Sequence, residues 1–201
     1  PGHSSAASDV YKRQVLGHGQ SEIKKVLGNS VNSIDFAIQE EQLGTGHAVG
    51  VATNELADFD GNLIVLFGDT PFISARTMTK IENECKQADL VVLGFHPQDP
   101  TGYGRLVTKN KELLRIVEHK DANDEELAIT LCNSGVMAGS AVLIKKLLKE
   151  LDRNNKNNEI YLTDCIELAR TDGLSSTYLT CDPTEACLLY TSPSPRDGRI
   201  S

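Results

Sequence analysis

The sequence has 201 residues, with 20 Lys and Arg against 28 Asp and Glu, so its formal net charge at pH 7 is −8. A chain this acidic is a poor candidate for non-specific binding to nucleic acid or to a membrane surface. Its apolar runs also fall short of the roughly 20 residues that a membrane-spanning helix requires.

Both ends of the chain are predicted to be foreign to the protein. Residues 5–14 (SAASDVYKRQ) and 187–197 (CLLYTSPSPRD) can be read back codon by codon as a transposase-type sequencing adapter. We therefore expect residues 1–14 and 187–201 to be adapter-derived and non-native, the alternative being a natural flexible tail at each end. Residues 15–186 would then form one partial domain, large enough to bury about 70% of its unfolded surface.

Strand-like and helix-like patterns alternate along residues 15–186, which predicts an α/β fold with a parallel sheet and one inserted antiparallel hairpin. The predicted elements of the first half are a helix at 21–27, a strand at 34–38, a helix from Thr45, a strand at 62–67, a helix at 74–87 capped by Ser74, and a strand at 89–95. Those of the second half are a hairpin within 103–116, strands at 127–132 and 135–138, a helix at 141–151, a polar loop at 154–158, and a helix at 163–170. The apolar helix faces are predicted to be Ile23, Val26 and Leu27; Ala48, Val51 and Ala52; Met78, Ile81 and Cys85; and Val142, Leu143, Leu147 and Leu148 (or Leu151).

The cysteines within residues 15–186 are Cys85, Cys132, Cys165 and Cys181, and they form no C-x-x-C pair. We expect reduced, mostly buried thiols in a cytoplasmic protein. The histidines likewise have no metal-type spacing.

The apolar run Leu63–Phe67 is typical of a strand buried on both faces of a parallel sheet, and it ends in Gly68, Asp69 and the turn-forming Thr70-Pro71. Ligands of open α/β sheets bind beyond the carboxyl ends of the strands, which would place Asp69 at the mouth of a site. A carboxylate there suits Mg²⁺ bridged to phosphates. An Asp that merely begins a turn is the alternative.

Residues 39–47 (QEEQLGTGH) form a second candidate segment. Gly44 and Gly46 would let the backbone approach a ligand closely, and the following helix would offer N–H groups. The amides of Gln39 and Gln42 could read the edge of a nucleobase. An ordinary loop-to-helix turn is the alternative.

Four later segments carry polar side chains in turns or between strands. In residues 99–105 (DPTGYGR), Gly104 could let a sugar lie against the backbone, whereas a plain turn is the alternative. In residues 117–121 (VEHKD), Glu118 could accept from sugar hydroxyls while Lys120 offsets phosphate charge, whereas a surface charge cluster is the alternative. In residues 132–135 (CNSG), Asn133 could contact a ligand, whereas a hydrogen-bonded Asn in a turn is the alternative. In residues 158–164 (NEIYLTD), the alternative to ligand contact is helix capping by Thr163 or Asp164.

Taken in order, these segments resemble the uridylyltransferase domain of the bacterial bifunctional enzyme that makes UDP-N-acetylglucosamine. The shared motifs are Q-x-E-Q-L-G-T-G-H, G-D-x-P, D-P-x-G-Y-G-R, I-V-E-x-K-D, N-[ST]-G and N-x-E-x-Y-[LIV]-T-D, and all six occur here in the same order. The resemblance implies a Rossmann-like nucleotidyltransferase fold with a mixed, mostly parallel sheet and an inserted β-hairpin, residues 15–186 being a partial domain of this type.

The resemblance also implies a role for each matching residue. Asp69 would be catalytic and would coordinate the expected cofactor, Mg²⁺. The residues expected to bind the nucleotide are Gln39, Gln42, Gly44 and Thr45. The residues expected to bind the N-acetylglucosamine phosphate are Gly104, Glu118, Asn133, Glu159, Tyr161 and Thr163, with Lys120 in the same segment as Glu118. Phe67 stands where the family often has Tyr.

The implied reaction joins UTP to N-acetylglucosamine 1-phosphate and releases pyrophosphate, without a covalent nucleophile. By the same resemblance, the first strand and a Gly-rich triphosphate loop would precede Val15. A second metal ligand and a β-helix for acetyl transfer and trimer formation would follow Ala186. We expect the parent to be a cytoplasmic homotrimer with no nucleic-acid or membrane partner, and the 201-residue chain to be poorly stable and inactive.

Two alternatives to this function remain open. The first is a thymidylyl-, guanylyl- or cytidylyltransferase acting on another sugar phosphate. The second is a non-catalytic subunit of the same fold.

Overall fold

The computed structural model describes residues 11–17, 19–27, 34–54, 56, 59–151 and 159–186. The predicted polar loop at 154–158, residues 1–10 and 187–201 of the predicted foreign ends, and His18 lie outside these residues. The chain divides into two compact units, which are described separately. The first unit comprises the described residues up to 58 together with 159–162, and the second comprises 59–151 and 163–186.

The first unit contains two parallel strands and two helices. Strand β1 (Arg13–Leu16) pairs in parallel with β2 (Asp35–Ile38), and the helix α1 (Gln20–Leu27) lies between them in sequence. Helix α2 (Thr45–Asn54) follows β2. The strand β1 includes Arg13 and Gln14, the last two residues of the segment predicted to be foreign. The Arg13 guanidinium donates to the Ala52 carbonyl at 3.1 Å, which ties β1 to α2.

The helices predicted in this unit exist, but their buried faces differ from the predicted ones. On α1, Ile23 is exposed and Val26 is 87% exposed, because within the described part of the unit nothing covers that side of the helix. On α2, the buried residues are Gly46, Val49 and Thr53 instead of Ala48, Val51 and Ala52. The rotation follows from Gly46, since Ile160 packs so closely there that a Cβ at position 46 would lie 2.7 Å from its Cγ2.

The second unit is built on a six-stranded mixed sheet. Its strands are β3 (Asn62–Val65), β4 (Leu90–Phe95), β5 (Arg105–Lys109), β6 (Glu112–Val117), β7 (Cys132–Ser140) and β8 (Ser176–Thr180), arranged in the order β3-β7-β4-β8-β6-β5. Its helices are α3 (Ala75–Glu84), α4 (Asp124–Leu127), α5 (Ala141–Glu150), α6 (Asp164–Thr171) and α7 (Pro183–Ala186). Every residue of β4 is buried, as predicted for the second apolar strand.

The structure confirms the predicted helix capped by Ser74, which is α3, and the predicted hairpin, which is β5 and β6. The hydroxyl of Ser74 caps α3 by accepting from the Thr77 N–H, and Ile81 is buried in the core with Met78 and Cys85 packed beside it. The strands β5 and β6 pair antiparallel around Asn110 and Lys111, whose φ values are 52° and 69°. Positive φ at both central residues is the requirement of a two-residue type I′ turn.

The prediction of a mostly parallel sheet is wrong for the described pairings. Strand β7 lies between β3 and β4 and runs antiparallel to both, so β4–β8 is the parallel pair among the described strands of this sheet. The prediction that β3 is buried on both faces is also wrong. This strand ends at Val65, is only partly buried and leaves Leu66 43% exposed, because among the described strands it pairs with β7 alone.

Two further predictions in this unit are corrected. Residues 127–131 of the predicted strand at 127–132 do not form a strand, because Asn123 and Glu126 make a capping box that begins α4 and Leu127 ends that helix, whereas Cys132 begins β7. The buried face of α5 is Ala141, Ile144 and Leu147, so the prediction is confirmed for Leu147 and wrong for Val142, which is 63% exposed. The rotation of α5 about its own axis is set at its first turn, where the Ala141 N–H donates to the Gly61 carbonyl at 2.9 Å.

Candidate functional site

In the first unit, the segment between β2 and α2 lies against residues 159–162. The Ile160 N–H donates to the Leu43 carbonyl at 2.7 Å, and the Gly46 N–H donates to the Ile160 carbonyl at 2.8 Å. The Leu162 N–H donates to the Thr45 hydroxyl at 3.0 Å. The structure therefore brings Gly44 and Thr45, two of the four residues predicted to bind the nucleotide, against the segment that contains Glu159 and Tyr161, which were predicted to bind the sugar phosphate.

Gly44 allows this close backbone approach. Its φ is +105°, and a Cβ at this position would lie 2.5 Å from the Ile160 carbonyl oxygen. Sequence reasoning predicted close approach at this glycine but assigned it to a ligand, whereas here it is the chain's own 159–162 segment that lies against it. One N–H of the first turn of α2, that of Gly46, is likewise already used by Ile160.

The two glutamines of the segment have different surroundings. The Gln39 Nε2 lies 3.2 Å from the Gly44 carbonyl oxygen and 3.0 Å from the His47 Nδ1, so this amide is held by the loop that it precedes. Gln42 is exposed, and its Nε2 would be 3.1 Å from a Cβ at Gly17, just after β1. The amide of Gln39 is thus fixed within the first unit.

In the second unit, Asp69 lies in the turn after β3 and is exposed. The backbone N–H and the hydroxyl of the buried Thr70 both donate to the Phe67 carbonyl, at 3.2 and 3.1 Å, which fixes the turn around Asp69. The Phe67 ring lies against Gly135, where a Cβ would be 2.5 Å from its Cδ2. The turn that carries Asp69 therefore follows directly on Phe67, whose ring packs against the Gly135 of β7.

A bulge in β7 shapes the next part of the site. Leu93 of β4 pairs with Val136, but the following Gly94 pairs with Asn133, so Ser134 and Gly135 are extra residues on β7. The Ser134 hydroxyl donates to the Leu93 carbonyl at 2.7 Å, and the Asn133 Oδ1 accepts from the Gly135 N–H at 3.1 Å. Asn133 lies inside a strand and not in the turn that the sequence suggested, and the bulge sets its side-chain position.

Asn133, Gly104, Glu118 and Thr163 follow one another through direct contacts. The Asn133 N–H donates to the Gly104 carbonyl at 2.8 Å. A Cβ at Gly104 would lie 3.4 Å from the Glu118 Oε2. The Thr163 hydroxyl donates to the Glu118 Oε1 at 3.3 Å. The structure thus brings four of the predicted site residues, Gly104, Glu118, Asn133 and Thr163, into one part of the second unit, and Asp69 lies in the turn after β3 of the same unit.

The carboxylates near Thr163 are in a desolvated, acidic environment. Burial raises the pKa of Glu118, and the Asp121 charge adds to this, against the lowering effects of the Thr163 hydroxyl and of Lys120. Burial raises the pKa of Asp164 as well, followed by repulsion from Glu118, Glu167 and Asp121. Both carboxyl groups therefore take up a proton more readily than a free side chain of their type does.

Two residues of the sequence motifs, His47 and Arg105, have contacts that the motifs did not predict. His47 closes the Q-x-E-Q-L-G-T-G-H motif and touches the Gln39 amide. Arg105 closes the D-P-x-G-Y-G-R motif, is 1% exposed and donates to the Tyr103 carbonyl. Their place at the end of a motif was the available signal, but only contacts between residues several positions apart reveal what each side chain holds.

Within the described residues, no group of three or more His, Cys, Asp or Glu side chains could hold a metal ion. The four cysteines of that part of the chain are free thiols, as predicted. No helix among the described residues is long and apolar enough to cross a membrane.

Comparison with known proteins identifies the relatives of the chain. Over 171 residues, 85% of its length, it is 46% identical to the bifunctional protein GlmU of Ruegeria sp. (strain TM1040). It is 47% identical over 171 residues to the bifunctional protein GlmU of Roseobacter denitrificans. The chain is homologous to part of GlmU. It spans 38% of the length of these curated relatives.

The homology to GlmU confirms the resemblance drawn from the six ordered motifs. The fold is shared with the nucleoside-diphosphate-sugar pyrophosphorylase from Vibrio cholerae RC9, at a TM-score of 0.69 and 14% identity over 88% of this chain and 75% of that one. This likeness shows an α/β fold of the nucleotidyltransferase type with a mixed sheet. No protein-family model matches the chain.

Proposed function

We propose that this GlmU relative is part of a uridylyltransferase that joins UTP to N-acetylglucosamine 1-phosphate and releases pyrophosphate. The observation that carries the proposal is the run of contacts from the end of β3 through Asn133, Gly104 and Glu118 to Thr163, all in the second unit. The identity to GlmU over 171 residues supports the choice of substrates.

The nucleotide is assigned to the first unit. Gln39 and Gln42 would contact the base, and Gly44 and Thr45 would lie beside the nucleoside. This assignment is supported by the fixed Gln39 amide and by the rigid backbone bonds that hold residues 43–46. Glu159 and Tyr161 lie in the segment that forms those bonds, and both would bind the sugar phosphate.

The sugar phosphate is assigned to Gly104, Glu118, Asn133 and Thr163 in the second unit. The half-buried Glu118 carboxyl, with its raised pKa, would accept from sugar hydroxyls. The absence of a side chain at Gly104 leaves room against the backbone beside it. The assignment is supported by the backbone hydrogen bond from Asn133 to Gly104, by the closeness of Gly104 to the Glu118 carboxyl, and by the hydrogen bond from the Thr163 hydroxyl to Glu118.

Asp69 is the residue that would hold a divalent metal ion. Its exposed carboxylate fits the way Mg²⁺ is usually bound, through one or two carboxylates plus substrate phosphates and not through an all-protein cage. When bound, Mg²⁺ would neutralise charge on the triphosphate and polarise its oxygens.

The proposed chemistry is one in-line displacement. A phosphate oxygen of N-acetylglucosamine 1-phosphate attacks the α-phosphorus of UTP. The bond breaks between that phosphorus and the oxygen that bridges the α- and β-phosphorus atoms, and pyrophosphate leaves with the electron pair. The residues of this chain would bind the two substrates, and positioning is the main contribution that a protein makes to phosphoryl transfer. By resemblance, the longer protein would be a cytoplasmic homotrimer assembled through a C-terminal domain.

A chimera tests the function, because the chain spans 38% of the length of its relatives. Residues 15–186 would replace the matching segment of the Ruegeria GlmU, and pyrophosphate release would be measured with UTP and N-acetylglucosamine 1-phosphate. Activity that Asp69→Asn abolishes in the folded chimera supports the proposal. A folded chimera that prefers another nucleotide indicates one of the other nucleotidyltransferases, and one that is inactive with every nucleotide indicates a non-catalytic module.

A further inference from the structure

The amide of Gln39 has two neighbours that both accept hydrogen bonds. Its Nε2 lies 3.2 Å from the Gly44 carbonyl oxygen and 3.0 Å from the His47 Nδ1. All three residues belong to the first unit, and the Gln39 and His47 side chains are half-buried. The glutamine is therefore clamped between the turn and the first turn of α2.

These contacts decide which way the amide points. A carbonyl oxygen only accepts, so the atom of Gln39 facing Gly44 must be the NH₂ group. The second N–H of that group then meets the His47 Nδ1, which can accept only if the imidazole is neutral with its proton on Nε2. Both donors of Gln39 are thus occupied, and the group left to meet a ligand is the acceptor Oε1.

We propose that His47 is a positioning residue that fixes the Gln39 amide so that an acceptor faces the nucleobase, which selects a base with an N–H on its pairing edge. The inference rests on the proposed function. Uracil and thymine present N3–H at this edge, whereas the corresponding N3 of cytosine is itself an acceptor. If the Gln39 Oε1 faced the N3 of cytosine, both acceptors would lose water without gaining a donor. Cytosine would therefore bind less tightly than uracil.

His47 is required because the Gly44 carbonyl holds only one of the two amide protons. Without a second acceptor, the amide can rotate about its last bond and offer an N–H to the ligand, and the discrimination against cytosine falls. The effect is therefore expected on the ratio of the two nucleotides and less on the rate with UTP alone.

The test compares variants in the chimera described above, with kcat/KM measured for UTP and for CTP. His47→Leu removes the acceptor while keeping a helix-forming side chain of similar size. His47→Asn restores an acceptor near the position of Nδ1. The matched control is His96→Leu, because His96 is an exposed histidine of the second unit that contacts Thr130.

We expect the UTP/CTP ratio of kcat/KM to fall about tenfold in His47→Leu, to recover in His47→Asn and to stay unchanged in His96→Leu. Unchanged UTP selectivity in an active His47→Leu chimera would overturn the inference and leave the proposed function standing. A parent chimera with no preference for UTP would overturn both.

A measurement on the 201-residue chain itself is independent of turnover. The ¹⁵N resonances of the neutral His47 ring are expected to show a protonated Nε2 and an unprotonated, hydrogen-bonded Nδ1. A proton on Nδ1 in the neutral ring would refute the inference, since that nitrogen could not then accept from Gln39.

Discussion

The backbone N–H of Asn133 donates to the carbonyl of Gly104 across 2.8 Å. The bond joins the residue just before the β7 bulge to the residue that precedes β5, and Arg105 pairs with Cys132 beside it. Two residues that are distant in sequence and were predicted to bind the same ligand are thus held in register by the sheet itself. Loss of this register would separate the parts of the candidate sugar-phosphate site.

The β7 bulge is expected to depend on glycine at position 135. The backbone at position 135 has a left-handed φ of +81°, which strains an alanine. In Gly135→Ala, the new Cβ would also lie 2.5 Å from the Cδ2 of the Phe67 ring. We expect the free energy of unfolding to fall by about 3 kcal/mol in urea titrations.

Gly102→Ala is the matched control for this prediction. Gly102 has a similar φ of +84°, but nothing lies within 4 Å of a Cβ there, so it reports backbone strain alone, about 1 kcal/mol. Equal losses in the two variants would show that the packing of Phe67 on Gly135 contributes nothing.

Glu118 is expected to make the protein less stable as the pH rises. Burial raises its pKa in the folded state, so the folded state binds more protons than the unfolded state between the ordinary and the raised pKa. Stability is then greatest below the ordinary glutamate pKa and declines as the pH passes through the raised one. Asp164, whose pKa is also raised, acts in the same direction.

Glu118→Gln removes the titrating carboxyl and keeps an acceptor for Thr163. We expect it to flatten this part of the pH dependence and to be more stable than the parent at neutral pH, as measured by urea unfolding at several pH values. Glu112→Gln, at an exposed position, should follow the parent curve. A Glu118→Gln curve parallel to that of the parent would contradict the prediction.

Arg105 is expected to stabilise the second unit mainly through the volume of its side chain. It is 1% exposed, its Nε has no hydrogen-bond partner among the described residues, and its charge is desolvated. Arg105→Ala leaves a cavity and an unpaired Tyr103 carbonyl, so we expect a loss of about 3 kcal/mol in the free energy of unfolding.

Arg105→Met separates packing from charge. It keeps most of the buried volume and removes the cost of burying a cation, so we expect it to lose less than half as much as Arg105→Ala in the same urea titration. Equal losses in the two variants would show that the guanidinium itself, through its bond to Tyr103, is what matters.

Asp69→Asn is expected to impair catalysis without loss of stability. The side chain is exposed, so the melting temperature of the chimera should be unchanged, whereas kcat/KM for pyrophosphate release should fall roughly a hundredfold or more. Asp60→Asn, another exposed carboxylate, is the control and should retain full activity. Comparable activity of the Asp69 and Asp60 variants would rule out a metal-binding role for Asp69.

Local pattern was enough for the elements whose signals lie within a few residues. Ser74 and the apolar residues behind it predicted α3, the polar turn at 109–111 predicted the hairpin, and the all-apolar run predicted the buried β4. The sequence pattern did not predict β1, β8, α4 or α7, because each is only four or five residues long and too short to show a clear period.

The candidate site was partly accessible from sequence. The motifs identified Asn133, Gly104 and Glu118 as residues of interest, but not that they touch, because the contacts depend on a bulge that adds Ser134 and Gly135 to β7. The motifs likewise contained His47 and Arg105 without indicating that one holds an amide and the other a turn.

The amino-acid sequence by itself determined the family resemblance, the alternation of strands and helices, and the residue types available for chemistry. These depend on the order of side chains along the chain. Tertiary structure alone decided the direction of β7, the faces on which α2 and α5 are buried, and the contacts of the site residues. The physical reason is that strand direction, helix rotation and side-chain contacts are set by hydrogen bonds and packing between segments far apart in sequence, such as Ala141 on Gly61 and Gly46 on Ile160.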